Sequence, residues 1–183
     1  DADVVYAVKA ITGRQWDSKA KTWSAPLTSG WEALGVAGAY DFEIAPEVEA
    51  AIDEDVYEQS HREDLSTAHD YDLVIDGLGT THPVTGDAIE LRPFQKAGAA
   101  YALDAKRCFI ADEMGLGKTV QSLAAVQGAD AYPALVVCPA SLKMNWEREV
   151  RMWLPGKTVH IVDNKVGVKN ADVVVINYDI LAK

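Results

Sequence analysis

The feature that most restricts this chain is the octapeptide Asp112-Glu113-Met114-Gly115-Leu116-Gly117-Lys118-Thr119, set between an apolar β-prone run and a helix-prone run. A chain that turns directly from a strand into a helix leaves several main-chain amides without partners at the helix start. Gly115 and Gly117 let those amides crowd together and face inward, and the helix adds the positive end of its dipole. Such a nest suits an anion. Lys118 is placed to reach the β- and γ-phosphates of a nucleotide, and the Thr119 hydroxyl to ligate Mg²⁺. The chemistry this points to is the binding of a nucleoside triphosphate. The plainer alternative is a glycine-rich strand-to-helix turn with an incidental Lys-Thr. Asp112 departs from the usual pattern, because it stands where the first glycine of such a loop is expected.

The flanking sequence alternates helical and extended patterns. A helix is predicted from Pro93 to Leu103, a short buried strand over Arg107-Cys108-Phe109-Ile110-Ala111, and a helix from Gly117 to Gln127. The strand Ala134–Cys138 follows, then a helix capped by Ser141. Leu142, Trp146, Val150 and Trp153 line one face of that helix, opposite Lys143, Glu147, Arg148 and Arg151. The shared stripe makes Trp146 and Trp153 core residues rather than base-stacking platforms. Strands near Val159–Val162 and Val173–Ile176 complete an α/β pattern, a mostly parallel sheet with helices on both faces.

The first half reads as a small α+β domain. Val4 to Val8 is β-prone, Thr12-Gly13-Arg14 a turn, and Trp16 and Trp23 flank the polar tip of a hairpin. Ser29 and Glu32 have capping-box spacing. Pro46 opens a longer helix, with Glu47 and Glu49 at its positive end and Val48, Ile52 and Val56 recurring every four residues. The turn-rich stretch from Asp76 to Pro83 reads as a linker, which divides the chain near residue 85 into domains 1–85 and 86–183. Charge follows the same division. Residues 1–85 carry 17 acidic and 5 basic side chains, residues 86–183 carry 11 and 12. A net charge of −11 disfavours a nucleic-acid partner except at a local patch of the second half.

No apolar run is long enough to span a bilayer and no signal-peptide pattern opens the chain, so an intracellular location, cytoplasmic or nuclear, is expected. Cys108 and Cys138 each lie in an apolar run without metal-ligand spacing, and both read as buried reduced thiols. His61, His69, His82 and His160 share no spacing that marks a site.

Asp112 to Thr119 resembles the P-loop of the Swi/Snf class of superfamily-two helicases, in which Asp in place of the first glycine is usual. Leu91-Arg92-Pro93-Phe94-Gln95-Lys96-Ala97-Gly98 resembles that family's upstream Gln motif, with Gln95 lying 23 residues before Lys118. Val137-Cys138-Pro139-Ala140-Ser141-Leu142-Lys143, with Asn145-Trp146, resembles the segment after the second strand. Val175-Ile176-Asn177-Tyr178-Asp179 resembles the next one, with Asn177 where Thr is common. Among subfamilies, Arg92 to Pro155 looks most like the annealing helicases. The resemblance covers about residues 88–183. It implies an incomplete RecA-like sheet, ATP held by Gln95 and by Asp112, Glu113, Met114, Gly115, Leu116, Gly117, Lys118 and Thr119, and Mg²⁺ on Thr119. Lys118 would also be the catalytic lysine. Gln95 would hydrogen-bond the adenine edge. Ser141, Lys143 and Asn145 would grip DNA phosphates, or else simply form a solvated helix start.

The family's second acidic motif, an apolar strand ending in Asp-Glu, does not occur after residue 119. The second RecA-like lobe and its arginine finger are also missing. The resemblance therefore implies the ATP-binding part of a translocase acting on double-stranded or forked DNA, incapable of hydrolysis by itself. Two other readings remain: an unrelated P-loop enzyme such as a small-molecule kinase, and a binding module with a non-hydrolytic nucleotide site. Gly13-Arg14-Gln15-Trp16 and Lys21-Thr22-Trp23 faintly resemble the accessory repeat ahead of the motor in annealing helicases. Arg14, Lys19, Lys21 and the two Trp either contact a nucleic-acid strand or pin a short hairpin.

Overall fold

A computed structural model describes residues 2–163, 167 and 169–181. Contacts divide the chain into two units, Asp1–Glu63 and Asp64–Lys183.

The first unit contains α1 (Ala2–Ala10), a hairpin of β1 (Gln15–Asp17) and β2 (Thr22–Ser24), α2 (Gly30–Ala39) and most of α3 (Pro46–Thr67). The expected strand at Val4–Val8 is α1 instead. Its β-branched residues are overruled by their spacing: Val4, Ala7 and Val8 are half-buried and Ile11 buried, one helical face. The hairpin forms as expected, with Trp16 paired to Trp23 across the strands and their rings 5.1 Å apart. Asp17 closes its tip by accepting from the Ala20 and Lys19 amides, which hold its carboxyl below its ordinary value. The capping box does not form. Ser29 Oγ donates to Thr12 O (2.9 Å) and Glu32 Oε2 accepts from Thr12 N (2.7 Å), so both side chains satisfy one distant residue rather than their own helix. Along α3 only Ile52 of the four-residue repeat is buried, against Gly30, where a Cβ would meet it at 2.6 Å. Ile11 and Ile52 are the only buried apolar side chains of this unit among the described residues, so little hydrophobic burial holds it together.

The second unit begins within α3 and not near residue 85. Residues 64–89 belong to it because their backbone is bonded into it: Gly79 N donates to Trp153 O (2.7 Å), and Asp76 O accepts from Gln127 Nε2 (2.7 Å). The stretch expected to be a linker turns back on itself through a Thr81–Ala88 bridge. Next come α4 (Pro93–Ala105), α5 (Lys118–Gly128), β3 (Ala134–Cys138), α6 (Lys143–Trp153), β4 (Val159–Ile161), β5 (Val173–Asn177) and α7 (Tyr178–Leu181). The strands form a parallel sheet in the order β3-β5-β4. β5 is central and buried throughout, as a strand covered on both faces must be. Val173 and Val175 face a core with Val120 and Leu123 of α5 and Val150 and Trp153 of α6. Val174 and Ile176 face the other side, covered among the described residues by Val137, Ala171 and Ile180 of α7.

Two expectations fail here. Arg107 to Ala111 is not a strand: no described strand pairs with it, and Phe109 is 92% exposed. An apolar sequence cannot become a β-strand without a neighbour to take its hydrogen bonds. Cys108 is therefore exposed, whereas Cys138 is buried as expected.

Candidate nucleotide-binding site

The loop 112–117 joins the unpaired segment to α5. Gly115 (φ 88°) and Gly117 (φ 80°) both adopt left-handed backbone, which other residues reach only with strain. Gly117 is also the N-cap of α5, so Lys118 and Thr119 are the first two helical residues. A Cβ at Gly117 would push the Gln95 amide out of its place against the loop, and the left-handed backbone there favours glycine whatever the space.

Lys118 turns back over the loop. Its Nζ donates to Asp112 O (2.6 Å) and Glu113 O (2.8 Å), closing the loop with a cation. Two carbonyls are modest partners for an ammonium group. An anion entering the loop offers it more, and the same flexible stem can carry it there. Thr119 is half-buried in the first turn of α5, where a hydroxyl suits a hard cation. Met114 is 94% exposed at the loop's tip.

Gln95 sits at the start of α4 and bridges to this loop. Its Oε1 accepts from Arg92 N (3.0 Å), and its Nε2 donates to Leu116 O (3.1 Å). One N–H and one lone pair of the amide remain, the pair a base edge would need. The structure thus brings Gln95 together with Asp112 to Thr119, which lie far apart in sequence.

It does not treat the residues near α6 in the same way. Ser141 does not cap α6: it lies exposed in a 3₁₀ turn (Ala140–Leu142), and Leu142 holds the N-cap position. Lys143 is committed within the fold, its Nζ donating to Val162 O (2.9 Å) and Asn177 Oδ1 (3.0 Å). Asn145 accepts from Arg148. Lys143 is thereby a tie between α6 and the C-terminal ends of two strands, and a phosphate would have to displace it. Asn177, in the place where Thr is common, supplies the acceptor and donates in turn to Asp179 (3.0 Å).

One residue of the site escapes sequence reasoning. Gln121 of α5 is fully buried, and its Nε2 donates to Asp112 Oδ2 (2.7 Å). The only signal for it in the sequence is a polar residue on the inward-facing stripe of a helix otherwise lined by Val120, Leu123 and Ala124.

A family model described as SNF2-related domain matches residues 15–183. The chain is 39% identical over 100 residues to the DNA annealing helicase and endonuclease ZRANB3 of Bos taurus, covering 50% of this chain and 9% of that protein. It is 26% identical over 188 residues to the SWI/SNF-related matrix-associated actin-dependent regulator of chromatin subfamily A-like protein 1 of Xenopus laevis, covering 99% of this chain and 19% of the relative. Among solved structures, it is similar to the Sulfolobus solfataricus SWI2/SNF2 ATPase core in complex with dsDNA, at 29% identity over 52% of this chain and 23% of that one, with a TM-score of 0.47. The chain therefore spans under a quarter of each of these relatives.

Proposed function

This chain belongs to the SNF2-related domain family, and on that premise we propose that it is the ATP-binding front portion of an ATP-driven DNA translocase. The observation that supports this most strongly is the loop itself: two left-handed glycines, a helix start, and a lysine whose ammonium group already closes the opening. On nucleotide entry, Lys118 exchanges two neutral carbonyls for charged phosphate oxygens. The amides of 115–119 take the remaining negative charge. Gln95 offers its unused N–H and lone pair to the adenine edge and, through Leu116 O, couples base recognition to loop position. Thr119 is the side chain that would hold Mg²⁺, which when bound shields the phosphate charge.

Hydrolysis needs an activated water and charge stabilisation from both sides of the γ-phosphate. Residues 120–183 hold no Asp-Glu pair to supply the first, so these 183 residues by themselves are expected to bind ATP without turning it over. In a longer parent, closure of two lobes over ATP would drive movement along double-stranded or forked DNA. Ser141, in the 3₁₀ turn ahead of α6, and Asn145, in the first turn of α6, are the candidate phosphate contacts. Lys143 joins them only by leaving its present partners. An intracellular site of action, cytoplasmic or nuclear, accompanies this reading, and no helix among the described residues is long and apolar enough to cross a membrane.

The test is equilibrium binding of a fluorescent ATP analogue with and without Mg²⁺, followed by phosphate release in the presence of DNA. Saturable binding, competed by ATP and strengthened by Mg²⁺, is expected without multiple turnovers. Absence of saturable binding would overturn the nucleotide-site reading, and repeated turnover would overturn the claim of hydrolytic incompetence.

A further inference from the structure

The loop carries an acidic side chain where such loops have glycine, in a place whose chemistry is to receive an anion. A carboxylate free to swing toward the phosphates would oppose them. The structure turns it elsewhere. Asp112 Oδ2 accepts from Gln121 Nε2 at 2.7 Å, and the same nitrogen reaches Leu116 O at 3.5 Å. Gln121 is fully buried, and its Oε1 has no hydrogen-bond partner among the described residues. That oxygen rests against Gly98 of α4, where any Cβ would collide with it. A buried amide with one end unsatisfied is poor core material, and a Leu or Met of similar volume would pack there more favourably. What the amide does achieve is to hold the two ends of the loop, at 112 and 116, from beneath.

We infer that Gln121 is a positioning residue of the nucleotide site: with Asp112 it forms a latch that fixes the loop's entry and keeps the carboxylate directed away from the phosphates. This rests on the nucleotide-binding reading. Its geometric half, the pinned loop, can be judged without any nucleotide. Gly98 completes the device. Only a residue without a side chain lets α4 approach α5 closely enough to bury the amide in this orientation.

Polarity reversal provides the test. Q121E sets two carboxylates against each other, while D112N/Q121E moves the donor to position 112 and the acceptor to position 121, restoring one hydrogen bond. Two quantities are measured on the full chain: hydrogen–deuterium exchange of amides 112–117 without nucleotide, and affinity for a fluorescent ATP analogue. Q121E is expected to accelerate loop exchange and weaken binding at least tenfold, and the double variant to recover most of both losses. Should Q121E fail to fold, Q121M removes the donor without adding charge and is expected to accelerate exchange in the loop more than in β5. Equal effects on loop and β5, or a double variant no better than Q121E, would overturn the latch and leave Gln121 as ordinary core. If the wild-type chain binds no nucleotide at all, the function reading fails, and the exchange data still decide the latch.

Discussion

Replacing Gly79 by Ala isolates the clamp that holds residues 64–89 to the second unit. Gly79 does not adopt left-handed backbone, so the substitution introduces no conformational strain of its own. The added Cβ would collide with the Met152 carbonyl oxygen and approach Trp153 Cα at 3.3 Å. Both are backbone atoms in the last turn of α6, beside fully buried Val150 and Leu154, and neither can rotate aside. Relieving the clash moves the backbone around Gly79 outward, at an overpacking cost of about 1–3 kcal/mol. It also lengthens the 2.7 Å bond from Gly79 N to Trp153 O, worth about 1 kcal/mol. Gly156 is the control, since a methyl group there would meet nothing within 4 Å and any unfolded-state effect of Gly→Ala is shared. The expected difference between G79A and G156A is therefore about 2–4 kcal/mol. With a urea slope of about 2 kcal/mol/M, the G79A midpoint should fall about 1–2 M below that of G156A. Equal midpoints would refute the clamp, and with it the assignment of this segment to the second unit.

K118A removes the cation that closes the loop. Losing charged hydrogen bonds of about 1.5–3 kcal/mol should weaken binding of a fluorescent ATP analogue roughly ten- to hundredfold, and unchanged affinity would contradict the proposed phosphate contact. Ellman's reagent should titrate one thiol quickly, exposed Cys108. The second, Cys138, whose thiol burial pushes upward despite nearby Lys143, should react only on unfolding. Asp172 accepts from the Thr158 hydroxyl and the Thr158 amide, both at 2.6 Å, which hold its carboxyl below the ordinary value of 3.8. The stability this contributes is present above that pH and lost as pH falls through the lowered value. The gap in urea midpoint between wild type and T158A should therefore shrink below pH 3.8, and a gap independent of pH would dismiss the interaction.

Elements whose local pattern agrees with their surroundings are legible in the amino-acid sequence alone. Pro46, Glu47 and Glu49 open α3, and the valine-rich run at 173–177 is the central strand. The failures share a cause, in that a distant partner decides the outcome. Val4 to Val8 looks extended residue by residue, but its contacts repeat at helical spacing. Cys108-Phe109-Ile110 looks like a strand, yet pairing cannot be read from one segment. Ser29 and Glu32 prefer Thr12 to their own helix end, and Ser141 yields the cap position to Leu142 because a 3₁₀ turn intervenes. At the candidate site, the loop is legible because glycine, lysine and threonine act locally there. Gln121 is not, since its meaning depends on Asp112 being turned toward it and on Gly98 making room. Lys143 misleads for the same reason: its partners lie 19 and 34 residues away.

In the proposed function, the turn between Asp112 and Thr119 opens to receive a triphosphate as Lys118 leaves its two carbonyls. Amide chemical-shift mapping during titration with a nonhydrolysable ATP analogue and Mg²⁺ tests it most directly. The largest changes are expected on the amides of 113–119, with the Gln95 side-chain amide moving at the same midpoint. Saturating changes confined to other residues, with this turn unmoved, would contradict it.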